Sequence, residues 1–113
     1  MTAKDFLSQA FVTKKILKAK QAHLEYLREH AMHVNAFKTH SEIKKLLEIQ
    51  EEIAAVINSV SQNECRVVLF ERYINFKKWT EIAKATNYSL RYVHKLHNLG
   101  LAIVSKILDT KGD

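Results

Sequence analysis

Between residues 77 and 98 the chain carries Lys77, Lys78, Arg91, His94, Lys95 and Asn98, polar side chains whose spacing says more than their number. Arg91, His94, Lys95 and Asn98 fall at steps of three and four, so on a helix they share one face. Arg reads guanine through a bidentate bond to its O6 and N7, and Lys neutralises phosphate. The chemistry these residue types suit is recognition of duplex DNA, with no bond made or broken. No phosphate loop, paired carboxylates or Ser/His/Asp set is visible anywhere in the sequence, so no enzymatic activity and no cofactor are expected.

Such a face needs a helix aimed at the groove, and the residues before it have the types that build one. Ser89 is a good N-cap, its hydroxyl able to accept from an orphan backbone N–H of the helix opening at Leu90. Asn87 tolerates a left-handed backbone better than any residue except Gly and would end the preceding helix sharply. Tyr88 plugs the turn between them. Ala83, beside an inward Ile82, leaves room for a close crossing, and Val93 and Leu96 turn an apolar edge inward. Thr86 stands where an apolar side chain is usual. The pattern predicts a helix-turn-helix: a short helix from about Lys78 to Thr86, then a longer one from Leu90 to about Leu108. The outward face is Leu90, Arg91, His94, Lys95 and Asn98. Lys77 and Lys78 lead in near the DNA backbone. Trp79, the only Trp, is expected to wedge against Tyr73 and the second helix.

The rest of the chain must hold that unit. It has 113 residues, 47% apolar, with no Pro and only two Gly, so an all-α fold is expected. Residues 3–37 read as one helix with Phe6, Ala10, Thr13, Leu17, Leu24, Leu27, Ala31 and Val34 on its stripe. A break is expected at KTHSE, where Thr39 and Glu42 form a capping box. A second helix, about 40–60, carries the heptad-like seam Ile43, Leu46, Gln50, Ile53, Ile57 and Val60. The two form a coiled-coil-like hairpin, whose seam either packs within the chain or makes a homo-oligomer. Ser61 and Glu64 suggest a second capping box, opening a helix with Cys65, Val68, Leu69 and Tyr73 inward; Asn75 is its expected left-handed cap. Residues 1–60 are thus read as a packing and oligomerisation domain, and 61–113 as the DNA-binding domain.

Charge points the same way. Lys and Arg outnumber Asp and Glu 18 to 12, and residues 61–113 carry +4 of the net +6. No apolar run approaches the ~20 residues of a membrane span, and no signal peptide is evident. The single Cys65 on an apolar stripe fits a buried thiol and a reducing, cytoplasmic setting. Six His lack the acidic or Cys partners of a zinc site, so no metal is expected; His94 and His97 either touch phosphate or pack.

LFERYINFKKWTEIAKATNYSLRYVHKLHNLGL, Leu69 to Leu101, resembles region 4 of sigma factors, with its R-Y, W-x-E-I-A and S-x-x-x-V pattern. More closely, WTEIAKATNYSLRYVHKLH is similar to small phage proteins akin to transcriptional regulators of the RinA/ArpU kind. Trp79, Glu81, Ile82, Ala83, Ser89, Val93, Leu96 and His97 stand on that motif, with Leu96 and His97 offset by one position from ordinary region 4. The resemblance implies a phage or prophage transcriptional regulator binding double-stranded DNA. Two other readings use the same surface: a module docking on host RNA polymerase or another host protein, and a recognition subunit of phage DNA packaging.

Overall fold

The computed structural model describes residues 1–111, and among them every regular element is a helix: α1 (Ala3–Glu29), α2 (His33–Asn58), α3 (Asn63–Tyr73), α4 (Trp79–Thr86) and α5 (Leu90–Lys111). α1 opens on Thr2, whose hydroxyl accepts from the Asp5 backbone N–H at 3.1 Å. It then buries Phe6, Leu7, Ala10, Thr13, Leu17, Leu24 and Leu27 on one stripe. Up to Leu27 these are the expected stripe residues together with Leu7, and Ala3 is buried as well. α2 runs back along α1, as the ion pair between Lys20 and Glu42 requires: its midpoint in the chain is residue 31, the link itself.

That link is nine residues earlier than the KTHSE break. His30, Ala31 and Met32 close a Schellman turn, with Met32 N–H donating to Leu27 C=O at 2.9 Å and Ala31 N–H to Arg28 C=O at 3.2 Å. The left-handed position falls to Ala31, with φ 54°. Gly or Asn ordinarily marks such a turn, and Ala gives no signal. Thr39 is accordingly not a cap but a buried residue inside α2, and Glu42 turns to Lys20. Ala31 and Val34 leave the α1 stripe and are exposed.

Ile53, Val56 and Ile57 of α2 and Val60 of the link after it enter one core with Phe6, Leu7 and Ala10 of α1, Cys65, Val68, Leu69 and Tyr73 of α3, Ile82 of α4 and Val93, Leu96 and Val104 of α5. The seam's C-terminal half is therefore packed inside the chain, against α3 and α5 as well as α1. The core crosses the boundary between residues 60 and 61. A second, small cluster, Leu17, Leu24, Leu27, Ala36 and Ile43, joins the far ends of α1 and α2 alone. The radius of gyration is 16.9 Å, against about 13 Å for a compact chain of this length. The far ends of α1 and α2 project from the main core.

Two smaller expectations are corrected at α3. Its N-cap is Gln62 with no side-chain cap bond, because Glu64 instead accepts from the Tyr92 hydroxyl on α5. Arg66 fastens the link by donating to Val60 C=O at 3.1 Å and Asn63 Oδ1 at 2.6 Å. At the other end the left-handed residue is Phe76, φ 57°, not Asn75. The Phe76 ring packs edge-on against Phe11 at 5.7 Å, which offsets the backbone cost of about 1 kcal/mol for a non-Gly residue there. Asn75 donates its side-chain amide to Glu71.

Candidate nucleic-acid interface

α4 begins at Trp79 with Lys78 as N-cap, and Glu81 accepts from the Lys78 backbone N–H at 3.1 Å. It ends at Asn87, whose φ of 63° is the left-handed cap read from the sequence. Thr86, out of place by residue type, has a local use: its hydroxyl donates to Ile82 C=O at 2.7 Å. Tyr88 is half-buried in the break, edge-on to Tyr92 at 5.1 Å. Ser89 then accepts from the Tyr92 N–H at 3.1 Å, and α5 starts. The eight-residue α4 and the longer α5 are thus joined by three residues: Asn87 as left-handed cap, Tyr88 in the break and Ser89 at the start of α5.

The faces of α5 divide cleanly. Val93, Leu96, His97 and Gly100 are buried, while Leu90, Arg91, His94, Lys95 and Asn98 are exposed. Gly100 has a definite use: a Cβ there would meet Leu69 Cδ1 at 3.0 Å, so its absence lets α3 and α5 approach closely. From residue 77 to 108 the chain has six Lys or Arg and one carboxylate, Glu81. The positive charge of this half is therefore concentrated on α4, α5 and the turn before them.

Trp79 sits at the junction, half-buried. Its ring lies 4.6 Å from His97 and 4.9 Å from His94, with the Arg72 guanidinium over it at 4.4 Å. The expected partner Tyr73 is one layer further in: it stacks on His97, and its hydroxyl lies 2.7 Å from His97 Nε2. His97 is the packing histidine. Burial, aided by His94, Lys4 and Arg72, lowers its pKa from 6.5 to about 4, so it is neutral at pH 7. Burial raises the Tyr73 pKa, which keeps the hydroxyl protonated beside it.

The structure brings Arg91, His94, Lys95, Asn98 and the N-terminal Leu90 and Ser89 onto the one exposed α5 surface, with Lys78 at the start of α4. Lys77 differs. Its ammonium pairs with Glu71, and its carbonyl accepts from Arg72 at 3.0 Å. Residues from outside the α4–α5 unit also border it. Lys4 and Ser8 of α1 line a cleft with His94, His97 and Asn98. Lys14 lies 4.2 Å over the Phe76 ring, at the turn leading into α4. Nothing local in the sequence marks these α1 lysines, since only tertiary packing carries α1 past α5.

No family model, curated protein or solved structure matches this chain. Among the described residues no cluster of His, Cys, Asp and Glu could hold a metal, and no helix is long and apolar enough to cross a membrane.

Proposed function

We propose that the chain is a sequence-specific duplex DNA-binding transcriptional regulator of a phage, prophage or related mobile element. In this reading α1 and α2 form a hairpin support, and α4, the Asn87–Ser89 break and α5 form a helix-turn-helix. The observation that carries it is the division of α5: an inward edge of Val93, Leu96 and His97 fixes the helix, leaving an outward face of Arg91, His94, Lys95 and Asn98 with no carboxylate. Outward residues near the start of the second helix are those that reach base edges in such modules. The resemblance to region 4 of sigma factors and to RinA/ArpU-type regulators supplies the regulatory context.

Arg91 reads a base, while Lys78 and Lys95 hold phosphates. Selection of bound sequences from a random duplex pool gives the site, and titration of that duplex at several salt concentrations gives the energetics. Arg91→Ala should cost about 1–3 kcal/mol on the selected site and far less on random DNA. Lys78→Ala should weaken both about equally and lower the salt slope by roughly one unit. Absence of duplex affinity at about 50 mM salt, where phosphate contacts are strongest, would sink the reading and leave docking on host RNA polymerase in its place.

A further inference from the structure

The cleft between α1 and the α3–α5 surface has a composition that packing alone does not call for. It has a volume of about 410 Å³ and is edged by Lys4, Ser8, Arg72, His94, His97 and Asn98, over an aromatic wall that includes Trp79. Among the described residues no carboxylate lines it. The Arg72 guanidinium carbon lies 5.0 Å from the Phe11 ring centre and 4.4 Å from that of Trp79, and has no acidic partner among the described residues. One of its five N–H groups goes to the Lys77 carbonyl, leaving others for a ligand. Lys4 is exposed at the rim.

His97 is buried, lies with its Nε2 2.7 Å from the Tyr73 hydroxyl, and is one of the residues that line the cleft. A buried imidazole, a serine hydroxyl and a carboxamide thus border the same cavity as two cations.

We infer that this cleft binds a phosphate-bearing ligand of nucleotide size, its oxyanion held between Lys4 and Arg72 with Ser8 and Asn98 as neutral donors and a planar part against Trp79. The volume exceeds a bare phosphate and suits a small organic anion. The phosphate can come from a free nucleotide or from the backbone of a bound duplex, since His94 and Asn98 belong both to the cleft and to the outward face of α5. The inference stands without the regulator reading, because a free nucleotide needs no duplex.

Trp79, as the only tryptophan, reports on the cleft directly. The full-length chain is titrated with a deoxyribonucleoside monophosphate and with inorganic phosphate at constant ionic strength, following Trp79 fluorescence and its indole N–H resonance. Saturable changes are expected, with the nucleotide binding more tightly than phosphate. Lys4→Gln, at an exposed residue, should weaken nucleotide binding roughly three- to fivefold, as loss of one charge-assisted contact at a solvated rim does. Lys44→Gln, on α2 far from the cleft, should leave it unchanged with the same helical content. A change no larger than chloride produces, or equal affinity in wild type and Lys4→Gln, would overturn the inference. Displacement of the nucleotide by the selected duplex assigns the phosphate to DNA, and simultaneous binding of both assigns it to a free ligand; either result requires the site.

Discussion

The two ends of the α1–α2 pair are built from similar residues and yet behave differently. At the near end, Phe6, Leu7, Ala10, Ile53, Val56 and Ile57 are enclosed by α3 and α5 as well as by each other. At the far end Leu17, Leu24, Leu27, Ala36 and Ile43 have only the opposite helix, and Val34 and Phe37 beside them are 85% and 79% exposed. A helix covered on two sides has its orientation fixed many times over. One covered on a single side is held by one stripe and a turn, so its apolar residues can fall outside the core without undoing it.

The largest test of this difference is removal of residues 1–60. The core shared across that boundary means that the 61–113 fragment loses the cover of Val68, Leu69 and Val104. It should show no cooperative thermal unfolding by circular dichroism. A cooperative melt would mean that the near end of α1–α2 is an accessory, like the far end. Single truncations sharpen the contrast: Leu69→Ala should cost about 3–4 kcal/mol in urea unfolding, and Leu24→Ala about 2 kcal/mol or less, because a thin cluster collapses more easily around the missing atoms. Equal losses would erase the distinction.

A smaller effect is confined to the near side. His97 is neutral in the fold, with a pKa of about 4. Between pH 6.5 and 4 the unfolded chain takes up a proton that the folded chain refuses. Stability is therefore full above pH 6.5 and falls as pH drops toward 4, by about 3 kcal/mol at most. The difference in this slope between wild type and His97→Gln isolates the histidine from the carboxylates, and identical slopes would refute it.

Gly100→Ala comes next. The gain of about 1 kcal/mol in helix propensity is opposed by contact with Leu69, which is fully buried and has little room to move. A net loss of ~1 kcal/mol is expected, relieved when Leu69 is shortened in the same chain. The smallest change belongs to the far end: Ala31→Gly should stabilise by about 0.5–1 kcal/mol, since Gly adopts the left-handed backbone at no steric cost. Destabilisation by that change would mean the turn is held by the Ala31 methyl and not by its two backbone bonds.

The sequence by itself determined what depends on neighbours three or four residues away. Helical content follows from the missing turn residues, and the ends of α4 and the start of α5 follow from Asn87 and Ser89, whose side chains and backbone preferences act locally. The inward and outward faces of α5 were legible for the same reason: Val93 and Leu96 set a phase that places Arg91 and Lys95 opposite. Tertiary structure decided the rest. The first turn lies at Ala31 because pairing of α1 with α2 in the Lys20–Glu42 register tolerates a strained alanine that no local signal announces. Glu64 abandons its cap for Tyr92, and Phe76 takes a left-handed backbone to reach Phe11, because burial and long-range bonds outweigh preferences of about 1 kcal/mol. The cleft beside α5 was invisible for the same physical reason: Lys4, Arg72 and His97 lie far apart in the chain, and only the packing of α1 across α3 and α5 makes them neighbours.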